Sequence, residues 1–155
     1  MGRVGLIELS RTQIQLRSSE ETVEFGKKIA KAVRPNSVIA LTGDLGAGKT
    51  TFVQGLALGL NISDPIQSPT FILLNSYEGT LPLFHFDLYR FKDGADFFKL
   101  GFEEYFHKGG VCAIEWPQKI AGSLPADTIY IDFQHVEGNQ RMAFLSGPLE
   151  VADVR

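Results

Sequence analysis

The 155-residue sequence predicts an α/β fold, a mixed and mainly parallel central sheet flanked by helices with antiparallel hairpins added at its margins. Three observations point there. Residues 37–42 and 111–114 are continuous apolar runs without alternation, the pattern of strands covered on both faces. The first run leads directly into a glycine-rich loop and then into a helical pattern. Elsewhere, short strand-like segments flank glycine-containing turns, as hairpins do.

The elements follow in order. The first 17 residues alternate loosely, with Ile7, Leu9, Ile14 and Leu16 apolar, which predicts one or two edge strands. Ser18 with Glu21 three residues later reads as a capping box, and Val23, Gly26, Ala30 and Val33 give a helical face that stops before Pro35. Lys27, Lys28, Lys31 and Arg34 crowd its last turns, where cations favour the helix dipole. After the buried strand over residues 37–42, Thr51, Phe52, Val53, Leu56, Ala57 and Leu60 recur at helical spacing. Residues 71–77 and 81–87 flank the turn Glu78-Gly79-Thr80 as a hairpin. A short helix is expected around residues 97–106, a second buried strand over 111–114 ends at Glu115, and residues 128–133 and 141–145 form a closing antiparallel pair across Glu137-Gly138-Asn139.

Composition narrows the function. No repeat or linker divides the chain, so residues 1–147 are expected to form one domain, with 148–155 as a flexible tail. Fifteen Lys and Arg against 18 Asp and Glu give a net charge of −3, which argues against a stand-alone nucleic-acid binder. The imbalance is uneven, since residues 1–42 carry seven basic and four acidic side chains. A single cysteine, Cys112, excludes disulfide frameworks and cysteine-based metal sites. No apolar stretch is long enough to span a membrane and the start does not read as a signal peptide, so a cytoplasmic location is expected.

Gly43-Asp44-Leu45-Gly46-Ala47-Gly48-Lys49-Thr50 fits the P-loop pattern, with a strand before it and a helix after it. Each part has a physical reason. Gly43, Gly46 and Gly48 allow positive φ angles and let the loop amides of residues 44–51, Asp44 through Thr51, close on phosphate oxygens. Lys49 brings an ammonium to the β- and γ-phosphates of ATP, the Thr50 hydroxyl can ligate Mg²⁺, and the helix N-terminus adds positive potential. A P-loop NTPase fold follows.

Such a site also needs a carboxylate at a neighbouring strand end. Asp87 and Glu115 both qualify. The strand before Glu115 is the more continuously apolar and therefore the better central strand, so Glu115 is assigned to Mg²⁺ and Asp87 to orienting the attacking water or to a water-mediated metal contact, although by sequence the two roles can be exchanged. Ser68 and Thr70 flank a proline on the loop where P-loop switches place a hydroxyl, and Tyr89, Arg90 and Trp116 follow the two acids as possible cleft residues. His85, His107 and His135 lack metal-ligand spacing and are not expected to be catalytic. A small-molecule kinase usually needs several arginines in a lid, but residues 51–139 contain only Arg90. No Asn-Lys-x-Asp tetrapeptide is present to read guanine. The best reading is a compact ATPase gating a partner; a small-molecule kinase and a nucleotide-dependent regulatory module are the alternatives.

Four segments together, Gly43–Thr51, Ser68–Thr70, His85–Arg90 and Glu115–Pro117, resemble in order and spacing the bacterial TsaE (YjeE) family of ATPases in tRNA threonylcarbamoyladenosine biosynthesis, a likeness running from about Ser19 to Arg141. The resemblance implies ATP with Mg²⁺ held by Thr50 and Glu115, and an Asp87 needed for activity. By position it places Ser19 and Thr22 near the nucleotide base and gives Glu137, in the last turn, another nucleotide contact. It implies TsaB and TsaD as partners, with tRNA reached through that complex. Phe97 and Phe98 depart from the more polar residues expected at their positions.

Overall fold

The structure, a computed structural model, describes residues 11–44, 46–69 and 72–149. Its seven strands are Thr12–Leu16 (β1), Val38–Gly43 (β2), Leu74–Tyr77 (β3), Leu83–Asp87 (β4), Val111–Glu115 (β5), Ile129–Glu137 (β6) and Gln140–Ser146 (β7). They form one sheet in the order β1-β7-β6-β2-β5-β4-β3. The middle four, β6, β2, β5 and β4, run parallel, whereas β1, β7 and β3 join by antiparallel pairing. The mixed, mainly parallel sheet expected from the sequence is therefore present.

Among the described residues three helices accompany the sheet, Ser19–Ala32 (α1), Lys49–Gly59 (α2) and Ala95–Lys99 (α3), with 3₁₀ turns at Phe102–His107 and Pro117–Ser123. Helices α1 and α2 cover one face over a core that includes Phe25, Ile29, Ile39, Leu41, Phe52, Leu56, Ile131 and Phe133. Phe52 stands 5.4 Å, centroid to centroid, from both Phe25 and Phe133. The other face carries Val38, Phe84, Phe86, Phe97, Phe106, Cys112 and Ile114. Cover on both sides explains the unbroken apolar runs, because successive residues enter opposite cores. It also explains Phe97, which is fully buried, and Phe98, which packs beside it with ring centroids 5.3 Å apart.

Several expectations need correction. The Ser18 Oγ accepts the Glu21 N–H at 3.1 Å as a capping residue should, but the Glu21 carboxylate accepts from the Arg17 N–H, 2.9 Å, one residue before the cap. The buried face of α1 is Thr22, Phe25, Gly26, Ile29 and Ala30, so Val23 and Val33 stand at its margin; the stripe turns toward Phe25 and Ile29, which offer the larger apolar area. The strand expected from residue 71 begins at Leu74, and the expected single helix near 97–106 breaks at Gly101, whose φ is +73°. The closing hairpin is longer than expected at its turn, because β6 and β7 continue as a two-stranded ribbon past the sheet. Residues 134–140 are exposed there, so no apolar alternation marks them in the sequence. Ile7, Leu9, Leu45, Thr70 and Phe71 lie outside the described residues, as do residues 150–155 of the expected tail; Leu149 packs against the larger core. Among the described residues, no helix is long and apolar enough to cross a membrane.

The register positions the site. Leu41 pairs with Glu115, Asp87 pairs with Glu115, and Gly43 pairs with Phe133, so the carboxyl ends of β2, β4 and β5 meet along one edge. In open α/β sheets ligands bind along such an edge.

Candidate nucleotide site

The loop between β2 and α2 has the conformation its glycines permit. Gly43, Gly46 and Gly48 have φ of +134°, +82° and +109°, as the sequence led us to expect. At Gly43 a Cβ would also lie 2.5 Å from the Phe133 carbonyl oxygen of the neighbouring strand, so the parallel pairing with β6 demands glycine as much as the turn does. Gly48 caps α2 without a side-chain hydrogen bond, leaving first-turn amides directed out of the helix end. Ala47 is buried and its N–H donates to the Asp44 carbonyl at 2.9 Å, which closes the loop on itself.

Lys49 is almost buried. Its Nζ donates to the Gly43 carbonyl at 2.8 Å, lies 3.9 Å from Glu115 Oε1, and stands 5.2 Å from the centre of the Trp116 ring. Glu115, at the end of β5, divides its two oxygens: Oε1 faces Lys49 while Oε2 accepts from His85 Nε2 at 2.8 Å. Asp87 ends β4 beside it, 5% exposed, with Oδ1 accepting the Tyr89 N–H at 3.0 Å. The Tyr89 and Trp116 rings meet at 5.0 Å, and Trp116 holds a left-handed backbone (φ +59°, ψ +48°) directly before Pro117. A bulky residue in that conformation is strained.

A cleft of about 150 Å³ opens among Gly46, Gly48, Lys49, Thr50, Glu115 and Arg141. Two cations and a helix N-terminus at its wall suit a polyphosphate. Larger hollows elsewhere, about 450 and 630 Å³, carry two carboxylates each, Glu21 and Glu24 against the single cation Lys28 in one and Glu103 and Glu104 beside His107 in the other, a balance less suited to phosphates.

Lys49, Thr50, Thr51 and Glu115 are thus brought together at the cleft, with Asp87 and Trp116 adjoining Glu115 and Lys49 respectively. Ser19, Thr22 and Glu137 do not line it. Ser19 is exposed at the start of α1, the Thr22 hydroxyl turns back to donate to the Ser18 carbonyl at 3.3 Å, and Glu137 is exposed near the ribbon turn. Ser68 and Arg90 are exposed, while Leu45 and Thr70 lie outside the described residues.

Two residues meet the site that the sequence does not place there, His85, set aside above as not catalytic, and Arg141. His85 is fully buried on Glu115. Arg141, at the start of β7, donates through NH2 to the Gly46 carbonyl at 2.8 Å and through NH1 to the Gly138 and Gln140 carbonyls at 2.7 and 2.9 Å. Its link to the loop spans 95 positions in sequence, and nothing local signals it. For His85 a signal existed: it shares strand parity with Asp87, so both fall on the side of the sheet that bears α2.

A glycine loop between a parallel strand and a helix, with its lysine turned toward a strand-end carboxylate, places this chain in the class of P-loop nucleotide-binding proteins. A sequence model of the family described as "Threonylcarbamoyl adenosine biosynthesis protein TsaE" matches residues 16–143. The chain is 43% identical over 127 residues to the Treponema pallidum tRNA threonylcarbamoyladenosine biosynthesis protein TsaE, covering 81% of this chain and 94% of that one. It is 43% identical over 123 residues to the Bacillus subtilis protein of the same name, covering 79% and 77%. The crystal structure of Bacillus subtilis YdiB superposes with a TM-score of 0.77 at 35% identity, covering 90% of this chain and 87% of that one. The chain belongs to the TsaE family.

Proposed function

We propose that the chain is a Mg²⁺-dependent ATPase of the cytoplasm that serves threonylcarbamoyladenosine formation on tRNA, acting with TsaB and TsaD and meeting tRNA through that complex. The observation that carries this reading is the P-loop cleft, in which Lys49, the uncapped start of α2 and Glu115 converge at the carboxyl ends of parallel strands. ATP and Mg²⁺ fit what is there. Lys49 and the loop amides suit the phosphates, while the Thr50 hydroxyl and the Glu115 carboxylate are the hard oxygen donors that Mg²⁺ takes.

In this reading Lys49 exchanges the Gly43 carbonyl for β- and γ-phosphate oxygens and spreads charge away from the transferring group. Thr50 and Glu115 hold Mg²⁺, which when bound neutralises developing charge on the phosphate oxygens. Asp87, beside Glu115 and almost buried, orients water so that the water oxygen attacks the γ-phosphorus; the bond to the β–γ bridging oxygen breaks, leaving ADP and phosphate, and the proton of the attacking water passes to solvent. The Trp116 ring, 5.2 Å from the Lys49 ammonium and packed on Tyr89, shields Lys49 from bulk water on one side, which strengthens its interactions. The net charge of −3 suits a protein that works on tRNA through partners.

The test is reconstitution. Purified TsaB–TsaD from the same source should regain many-turnover tRNA modification when this chain and Mg-ATP are added. With a nonhydrolysable ATP analogue it should not continue past a single turnover. Sustained turnover with the analogue would replace hydrolysis with a nucleotide-dependent binding role, and a phosphorylated metabolite accumulating with ATP consumption would mean a kinase.

A further inference from the structure

We propose that His85 is a positioning residue for the metal site: from the core beneath α2 it fixes the Glu115 carboxylate so that one oxygen is held back and the other is presented to the P-loop. The inference rests on the reading of Glu115 as a Mg²⁺ ligand. His85 Nε2 lies 2.8 Å from Glu115 Oε2, and Glu115 Oε1 is the oxygen that faces Lys49, at 3.9 Å. Each oxygen therefore has its own partner, and tilting the head group out of this plane lengthens both contacts.

The sheet register makes this contact possible. His85 pairs with Ala113, and Asp87 with Glu115. The small Ala113 side chain leaves room for the imidazole to lie along β5 and reach the carboxylate two residues further on, a diagonal approach open to long side chains. An ionised carboxylate has no proton to donate, so the hydrogen of the contact belongs to Nε2, which leaves Nδ1 as the other polar atom of the ring. That Nδ1 is buried and finds no hydrogen-bond partner among the described residues. A leucine or phenylalanine of similar bulk would fill the site between Leu83 and Asp87 without stranding a polar atom. A buried polar side chain that spends its hydrogen bond on the proposed metal ligand is accounted for by what it does to that ligand. Outer partners of this kind commonly change metal affinity 10–100-fold when removed, a range drawn from metal-site mutagenesis.

The experiment measures how Mg²⁺ strengthens ADP binding, by calorimetric titration of ADP in EDTA and at a series of Mg²⁺ concentrations, for the full chain and for Glu115→Gln, His85→Leu, His85→Gln and His85→Asn. Thermal unfolding checks that each variant is folded. We expect ADP affinity in EDTA to be unchanged in the His85 variants. His85→Leu should raise the Mg²⁺ concentration needed for half of the enhancement by roughly tenfold or more. His85→Gln, whose amide N–H reaches where Nε2 does, should stay within a few-fold of the parent chain, whereas the shorter His85→Asn should follow His85→Leu. A structural role alone would lower the unfolding temperature and leave the Mg²⁺ dependence in place. If His85→Leu does not fold, the Gln and Asn pair decides: equal Mg²⁺ dependence in the two overturns the proposal. Loss in Glu115→Gln without loss in His85→Leu overturns the positioning role alone, while an unaltered Mg²⁺ response in Glu115→Gln removes the metal assignment and the positioning role with it.

Discussion

Lys49 sits between a backbone carbonyl and a carboxylate, 2.8 Å from the Gly43 oxygen and 3.9 Å from Glu115 Oε1, so its charge is compensated before any phosphate arrives. A nucleotide must therefore offer it a better set of oxygens, which a triphosphate does and a neutral nucleoside does not. Charge-assisted hydrogen bonds contribute about 1.5–3 kcal/mol each. Replacing Lys49 with Ala removes more than one of them at the β- and γ-phosphates, and ATP affinity should fall by roughly a hundredfold or more in a calorimetric titration. Asp87→Ala should behave differently. In the proposed mechanism its carboxylate orients water rather than holding phosphate, so binding should stay within a few-fold while steady-state phosphate release disappears. ATP hydrolysis surviving in Lys49→Ala would sink the whole assignment.

Among elements, the crossing of α1 and α2 sets where the P-loop points, because the loop is the N-terminal end of α2. The two helices touch backbone to backbone. A Cβ at Gly55 would run into the Val23 carbonyl, and one at Gly26 would strike the Phe52 carbonyl and the Leu56 amide. Neither neighbour is a side-chain tip that can swing aside. Gly55→Ala must push the helices apart, and overpacking of this kind destabilises by about 1–3 kcal/mol. In a chain of this size that corresponds to an unfolding temperature lower by several degrees, at roughly 2–4 °C per kcal/mol, readable by calorimetric melting. The β6–β7 ribbon meets the same loop from the other side, with Arg141 holding the Gly46 carbonyl. These two contacts brace the loop between a helix pair and a hairpin.

For the molecule as a whole, burial in the second core pushes the Cys112 thiol from 9.0 up to about 12, because the charged thiolate is disfavoured away from water. Three units leave on the order of a thousandfold less thiolate at pH 8, so a disulfide reagent should label the native chain far more slowly than the chain unfolded in guanidinium. Fast native labelling would mean that the second core opens readily. The alternation of strand and helix, the glycines of the phosphate loop, Lys49 with Thr50 and the strand ending in Glu115 were legible because each is a local pattern tied to backbone geometry or to hydrogen bonding within a few residues. The helix face of α1 was read one step off, since which stripe is buried depends on Phe25 meeting Phe52 and Phe133. The length of the ribbon was invisible because both of its sides face water. Sequence by itself determined the fold class, the phosphate-binding loop and membership in a family; only the tertiary structure decided that His85 lies on Glu115 and Arg141 on the P-loop, because sheet register and long-range docking bring together residues 30 and 95 positions apart.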